Sequence, residues 1–308
     1  MVTEEFYAVS WNVEHNGTDT NGSAERWNLA VDVLTQLRPH VLLRQELTRA
    51  DMHGQRMVWA EARRLGNHTP FLATATPESA NPTGVYVDRD LFDPVQFFEH
   101  HTNIWHPVCN PVVRLKGASK DLALASFHLC SYDPATRARE AKRLTVLRRP
   151  GVEAILGGDC NSEPHRLHDE TAEPTDWSRV EDRGLFEART IERGGKRVTD
   201  TVPDEILAGE HDGQPPVFVD LAHYAATVLG QQDPDPLTPT GSLWRTDQGP
   251  RRRIDRIYAT PGIAGALIRV EVIVTEEVIA ASDHAPVLAV FSLPELRRVL
   301  TPESARAA

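Results

Sequence analysis

Val152-Glu153-Ala154-Ile155-Leu156-Gly157-Gly158-Asp159-Cys160-Asn161 passes from an apolar run through two glycines to an acid and an amide. Val152 to Leu156 reads as a buried strand, and the glycines let the main chain turn tightly or approach a ligand as it leaves the sheet. If the strand pleat persists through Asn161, Asp159 and Asn161 share one side and Cys160 faces the other, into the core. A Gly-Asp-x-Asn stretch is equally ordinary turn chemistry, because Asx side chains hydrogen-bond their own backbone. Turn and site are both open on local grounds, and the rest of the chain has to separate them.

Upstream, Leu122 to Leu129 reads as a strand carrying His128, and Asp133-Pro134 supplies the N-cap and first turn of a helix. Ala138, Ala141, Leu144 and Leu147 give that helix an apolar stripe, so a strand-helix-strand unit ends at Asp159. The N-terminal region follows the same grammar. Phe6 to Glu14 has strand composition, with Asn12 and Glu14 on one face by parity. A helix capped at Ser23 carries Trp27, Ala30, Val31, Leu34 and Leu37 and stops at Arg38-Pro39, and the strand Val41 to Glu46 places Leu42, Arg44 and Glu46 on one face. We read the two units as an internal pseudo-repeat, each closing on a carboxylate. Ligands of open α/β sheets gather beyond the carboxyl ends of strands, so Glu46 and Asp159 are predicted at one edge of a two-sheet core.

Between the units, residues 50–121 read as a helix near Arg56 to Leu65, a strand around Gly84 to Val87 and irregular Pro-containing connections. The His100-His101 and His106 group has no acid or cysteine spaced to complete a metal site. Residues 163–250 form a long polar, Pro-containing stretch with helical pieces near Asp204 to Ala208 and Val219 to Val228, the kind of segment that serves as a binding or lid region. After the basic run Arg251-Arg252-Arg253, strands are predicted at Ile254 to Ala259, Ile268 to Val274 and Val287 to Phe291. Ser282-Asp283-His284 precedes the last, and a short helix that frays follows Pro294.

The chain has 308 residues and a formal net charge of -11, which excludes a protein that coats DNA through a general cationic surface. Acidity remains compatible with an enzyme that uses local basic patches and a bound cation to hold phosphate. No apolar run approaches the roughly 20 residues of a membrane span, and the opening lacks a basic and apolar leader, so a cytoplasmic location without membrane segment is expected. Three cysteines at irregular spacing argue against a disulfide framework and a structural zinc site. No obligate protein partner is evident.

Asn12, Glu14, Glu46, His128, Asp159, Asn161, Asp255, Asp283 and His284 all lie at or beside predicted strand ends. In the segments Trp11-Asn12-Val13-Glu14, Gln45-Glu46, Phe127-His128-Leu129, Gly158-Asp159-Cys160-Asn161, Arg253-Ile254-Asp255-Arg256 and Ser282-Asp283-His284, the chain resembles the ordered motifs of the endonuclease/exonuclease/phosphatase (DNase I-like) superfamily. That superfamily includes pancreatic-type deoxyribonucleases, abasic-site endonucleases, inositol polyphosphate 5-phosphatases and neutral sphingomyelinases. The resemblance implies a four-layer αββα sandwich, two mixed β-sheets packed face to face with helices outside, and one cleft across the sheet edge. It implies a single domain over residues 1–294, with a substrate-facing insertion near 163–250 and a C-terminal tail at 295–308.

By the same resemblance the chain is a Mg²⁺-dependent hydrolase of phosphate esters, with Mn²⁺ as a substitute and water attacking phosphorus in line. Glu46 would be the principal metal ligand, completed by Asp283, Asn12 and Glu14; Mg²⁺ takes such hard oxygen donors. Asp159 would orient or deprotonate the water, and Asn161 would fix that geometry and contact the phosphate. His284, oriented by Asp255, would contact the phosphate or share the acid-base role, and His128 would donate to a phosphoryl or leaving oxygen. Each residue also has a plainer reading. Glu14 is a solvated strand end, His128 a core histidine, Asp255 a partner of Arg253 or Arg256, and Asp283-His284 a turn. Arg44 stands where the family usually has an apolar residue, either as a phosphate contact or as the partner of a buried acid. The Arg251 to Arg253 run and the arginines of the 137–149 helix would line a phosphate groove, which favours a phosphodiesterase or nuclease acting on nucleic acid. A phosphatase or phosphodiesterase of a small phosphorylated metabolite is the alternative, and a catalytically silent binding or scaffold protein is the rival of another class.

Overall fold

The computed structural model describes residues 4–19, 22–171, 174–245, 247 and 249–301. In chain order the strands are β1 (Glu5–Asn12), β2 (Val41–Gln45), β3 (His68–Ala73), β4 (Thr83–Asp88), β5 (Phe92–His100), β6 (Val108–Leu115) and β7 (Asp121–His128). They continue with β8 (Glu153–Asp159), β9 (Thr190–Arg193), β10 (Lys196–Thr199), β11 (Val219–Asp220), β12 (Asp255–Ala259), β13 (Leu267–Val272) and β14 (Val287–Ser292). Two six-stranded mixed sheets result, one ordered β13-β14-β1-β2-β4-β3 and the other β11-β12-β8-β7-β6-β5, with β9 and β10 as a separate hairpin.

Three apolar clusters separate the layers. Phe6, Ala8, Leu43 and Val85 of the first sheet meet Val113, Leu124, Ile155 and Ile257 of the second, which makes the inter-sheet core. The other face of the first sheet, with Val9, Trp11 and Leu42, is covered by Ala30, Leu34, Val58 and Val278 from the helices Glu25–Leu37, Arg56–Leu65 and Glu276–Ala281. The outer face of the second, with Ala125, Phe127 and Leu156, is covered by Ala141, Leu144 and Leu207 from the helices Pro134–Leu144 and Val202–Ala208. This is the four-layer sandwich, and its alternation of inner and outer residues is the period-2 pattern of strands buried on both faces.

The pseudo-repeat is visible in the pairing. Each sheet contains one parallel pair, β1-β2 and β7-β8, bridged by a helix, and every other pairing is antiparallel. Asp133 caps the second bridging helix as expected, its carboxylate accepting from Ala135 and Thr136 N–H. In the first, Ala24 rather than Ser23 occupies the cap position without a side-chain bond, and Ser23 Oγ accepts from Glu25 N at 3.3 Å.

Residues 50–121 are richer in strand than their sequence suggests. β3 and β5 are sheet edges carrying Pro70 and Pro94, and an edge strand tolerates a residue with no N–H to donate. Pro111 lies inside β6, where the ladder to β7 skips it between Cys109↔Ser126 and Val112↔Ala123, and the neighbouring Asn110 side chain donates to Leu124 O at 2.7 Å.

Polar contacts join the sheets beneath the edge that carries the acids. Gln45 Nε2 lies 3.0 Å from Ser126 Oγ and 3.4 Å from Gly157 O, and Ser126 Oγ donates to Arg44 O at 2.8 Å. Gly157 allows that approach, since a Cβ there would stand 2.6 Å from Leu43 Cδ1 and 3.0 Å from Ser10 Cβ. At Gly158 a Cβ would stand 1.8 Å from Phe127 O, a backbone atom on the adjacent strand that cannot move aside. Overpacking commonly costs about 1–3 kcal/mol. Gly157→Ala should fall in that range because a Leu tip can give way, whereas Gly158→Ala should reach or exceed about 3 kcal/mol; equilibrium unfolding in urea measures both.

Candidate active site

Strand parity aims the site. On β1, Phe6, Ala8 and Ser10 face the other sheet, so Asn12 does too; Gln45 does so on β2, and His128 and Asp159 close the inward-facing rows of β7 and β8. Register brings His128 opposite Asp159 on one side and Asp255 opposite it on the other. Glu46 and Asn161 do not follow simple alternation. β2 ends at Gln45 and Glu46 takes φ 53°, which turns it away from the outward face of Arg44 and toward Asn12. β8 ends at Asp159 and Asn161 takes φ 49°, so the expected continued pleat gives way to a turn in which Asn161 N donates to Asp159 Oδ1 at 2.7 Å. Left-handed backbone at non-glycine residues is uncommon, and Asn adopts it more readily than most. Cys160 does turn into the outer core of the second sheet, where burial pushes its thiol up to about 12.

Asp159 Oδ2 is the point of convergence. Asn12 Nδ2 lies at 3.3 Å, His128 Nε2 at 3.4 Å and His284 Nε2 at 3.9 Å. Burial opposes ionisation of Asp159, yet the charges of His128, His284 and Arg189 together with the Asn161 N–H hold its carboxyl below the usual aspartate range. His284 Nδ1 meets Asp255 Oδ2 at 2.8 Å, which fixes the ring and leaves Nε2 facing Asp159 and Asp283. Burial works against the imidazolium, but Asp255, then Asp283 and Asp159, raise His284 well above its ordinary value. The Asp255–His284 contact replaces the pairing of Asp255 with Arg253 or Arg256. His284 is further tied to β1, its carbonyl accepting from Trp11 Nε1 at 2.8 Å, and Ser282 Oγ donates to Asn12 O at 2.9 Å. Behind His128, the His106 ring stacks at 4.0 Å and 17°. Burial and the adjacent His128 push His106 down to about 2, so it remains a neutral ring.

A second group of oxygens lies beside this relay. Asn12 Nδ2 also donates to Glu46 Oε1 at 3.2 Å, and His15 N donates to Glu46 Oε2 at 2.9 Å. Burial raises Asp283 against the pull of His284, and the charges of Glu14 and Glu46 raise it further. Asn12 Oδ1 and Asp283 Oδ1 are buried without a hydrogen-bond partner. An edge crowded with carboxylates and unpaired oxygens fits a hard divalent cation. The ligand atoms of Asp159, Asp255 and His284, all within 4.8 Å of one another, are a further grouping that could hold a metal ion. Glu14 is engaged elsewhere: Arg26 reaches one of its oxygens at 3.1 Å and Arg245 the other at 2.7 Å.

Two cationic expectations are resolved. Of the two readings of Arg44, the partner of a buried acid is the one the structure shows, and the phosphate contact is set aside. Arg44 is fully buried, pairs with Glu61 at 2.9 Å and donates to Trp11 O, Gln45 O and Asn16 Oδ1, so its donors are consumed inside the first sheet's outer layer. The Arg251 to Arg253 run lines a cavity with Glu163 and Glu170, and two of its three cations are already engaged there. Arg253 is buried between Glu170 and Asp220, Arg252 is buried against the Trp177 ring, and Arg251 donates to Leu243 O. The charges of Arg252 and Arg253 are thus engaged by acids and an aromatic of the 163–250 segment, whereas Arg251 stays exposed.

That segment adds a residue with no sequence signal. Arg189 ends the helix Arg183–Arg189 and donates to Asn161 O at 2.8 Å and Asn161 Oδ1 at 2.6 Å, while Asn161 Nδ2 donates to Leu129 O. Both ends of the Asn161 amide are thus occupied, so the residue braces the turn that presents Asp159. Burial and the nearby Arg252 and Arg137 charges push Arg189 down to about 9. Of the histidine group, His100 meets Asn110 and His101 meets Glu99, and only His106 reaches the site.

A buried carboxylate, an imidazole-carboxylate pair and surplus hard oxygens gathered at one sheet edge are the parts of a hydrolytic site. The sequence profile of the Endonuclease/Exonuclease/phosphatase family matches residues 9–284, and the chain belongs to that family. No curated protein sequence matches the chain. Its fold is similar to several solved structures. TDP2 of D. rerio complexed with single strand DNA product is 16% identical, with TM-score 0.59 over 93% of this chain and 98% of that one. A mannosyl-6-phosphatase of Bacteroides thetaiotaomicron is 14% identical, with TM-score 0.57 over 92% and 98%. The human Nocturnin catalytic domain with bound sulfate anion is 14% identical, with TM-score 0.57 over 94% and 93%. Among the described residues no helix is long and apolar enough to cross a membrane.

In metal-free protein the His284 imidazole should titrate above 6.5, and Asp255→Asn should bring it down. A histidine whose folded value is raised stabilises the fold fully below its unfolded value and loses that contribution as pH rises through the folded one. The stability deficit of Asp255→Asn should therefore be present below the unfolded value and disappear at alkaline pH. Imidazole NMR shifts and urea midpoints across the pH range check both.

Proposed function

We propose that this protein is a Mg²⁺-dependent phosphodiesterase of the nuclease kind, with water attacking phosphorus in line and no covalent enzyme intermediate. The observation that carries the proposal is the convergence of Asn12, His128 and His284 on one oxygen of Asp159, beside Glu46 and Asp283. Glu46, Asn12 and Asp283 would hold the ion, and Glu14, paired to Arg26 and Arg245, would shape the field around it. When bound, such an ion neutralises charge on the phosphoryl oxygens and favours departure of the leaving oxygen.

The chain's own residues supply the remainder. Asp159, held as a carboxylate and braced by Asn161, accepts a hydrogen bond from the attacking water and then its proton. Asp255 accepts from His284 Nδ1, which leaves the Nε2 proton to be donated to a non-bridging oxygen as charge builds there. His128 Nε2 lies on the other side of the same carboxylate and can donate to a phosphoryl or leaving oxygen. A diester is favoured over a small monoester because a groove beside the helix Pro134–Leu144 offers further cationic side chains and the aromatics Trp105 and Tyr132.

Hydrolysis of bis(p-nitrophenyl) phosphate and of oligonucleotides should require Mg²⁺ or Mn²⁺ and stop in EDTA. Asp159→Ala and His284→Ala should each lower kcat by about 10²–10⁴, the range of a lost acid-base group, and Glu46→Ala should abolish the metal response, with circular dichroism unchanged. Hydrolysis confined to sugar or inositol monophosphates would overturn the diesterase reading, and a wild type inert toward every phosphate ester would favour a binding protein.

A further inference from the structure

A groove of about 840 Å³ lies between residues 101–105 and the helix Pro134–Leu144. Trp105 and Tyr132 line it, packed edge to face with ring centroids 4.8 Å apart at 74°, and Tyr132 is 53% exposed. Arg139, Lys142 and Arg143 line the helix side, and their spacing of three and four residues places them on one face. All three are exposed, and Arg139 donates to Thr136 Oγ1. Among the described residues, no carboxylate forms an ion pair with Lys142 or Arg143. Glu78 is the one carboxylate among the lining residues, and against it three cations on a chain of net charge -11 favour an anionic occupant.

The groove is built into the same framework as the site. The carboxylate of Glu140, buried on the helix, accepts from Trp105 N at 2.5 Å and from Cys130 N at 2.7 Å. One side chain therefore holds both aromatic-bearing segments against the helix that carries the cations. The rings continue inward as well: Trp105 meets His106 edge-on at 6.5 Å, and His106 stacks on His128, whose Nε2 reaches Asp159. The groove's Trp105 thus lies two ring contacts from His128, which faces Asp159.

We infer that the groove seats single-stranded nucleic acid, with bases against Trp105 and Tyr132 and phosphates against Arg139, Lys142 and Arg143, so that an adjoining phosphodiester reaches Asp159. Aromatic faces accept bases that have left a duplex stack, whatever their sequence, and cations beside them follow the backbone. A metabolite with one phosphate would engage one cation and leave the aromatic pair unused. The inference rests on the diesterase reading and adds the polymer and its strandedness.

The test compares kcat/KM on single-stranded DNA and RNA 12-mers, the matching duplexes and bis(p-nitrophenyl) phosphate, at several salt concentrations. Tyr132→Ala should lower the ratio of oligonucleotide to small-diester kcat/KM by about 5–100-fold, in line with a lost stacking contact. The exposed double variant Lys142→Glu/Arg143→Glu should lower the same ratio by at least about tenfold and flatten the log-log salt slope by about 1.4, since each phosphate contact contributes about 0.7 on a single strand. Ratios unchanged in both variants, or duplex hydrolysed better than single strand, would overturn this inference while leaving the diesterase reading in place. Failure of wild type on both oligonucleotide and small diester, with turnover of a sugar monophosphate, would overturn the diesterase reading itself.

Discussion

Gln45 is the side chain on which the arrangement turns. Its amide extends from the last position of β2 across the interface to Ser126 and to the carbonyl of Gly157, while Ser126 returns a bond to Arg44 O. Two sheets that met only through aliphatic groups could slide by a residue at modest expense, because apolar contact is non-directional. Buried hydrogen bonds cannot, since a slip would strand the amide and hydroxyl without partners. The residue after Gln45 is Glu46, and two residues beyond Gly157 is Asp159. Fixing the sheets at this point fixes the acids, and Asn12 then reaches both, at 3.2 and 3.3 Å.

Around that point, several buried charges are paired. Arg44 meets Glu61, Arg137 meets Asp200 at 2.7 Å, Arg253 meets Glu170 and Asp220, and Arg256 shares Tyr258 and Asp204. Removing one member of such a pair is strongly destabilising, because its partner is left charged in a medium that solvates it poorly. Several of these pairs link the 163–250 segment to the second sheet and to the helix Pro134–Leu144. Arg137 alone binds Cys130 O, Asp200 and Ala188 O. The segment is therefore joined to the same helix that flanks the aromatic groove, and through Arg189 to the turn at Asn161.

Residues at strand ends could be read in advance because parity and position are local properties. Asn12, His128, Asp159 and Asp255 sit where a period-2 count places them, on strands with a clear apolar rhythm. Glu46 and Asn161 were legible as site residues but not in direction, because a single left-handed residue reverses the face and leaves no compositional trace. The prolines of β3, β5 and β6 hid three strands, since whether a missing N–H matters depends on which neighbour the strand acquires. Arg44, Arg189 and Arg252 were beyond sequence for a related reason: a guanidinium reads the same whether it faces solvent, phosphate or a buried acid. His106 and Trp105 gain their place only when the segment before β6 lies against His128.

Because Glu46 follows a strand of one sheet and Asp159 ends a strand of the other, neither half of the sandwich holds the proposed site complete. Turnover at that site would therefore report sheet docking directly. A form of this protein that kept its strands and helices but let the two sheets drift apart would look native by backbone spectroscopy and be silent as an enzyme. Competence at the proposed site would then be a property of the interface between layers, where Gln45 and Ser126 tie one sheet to the other.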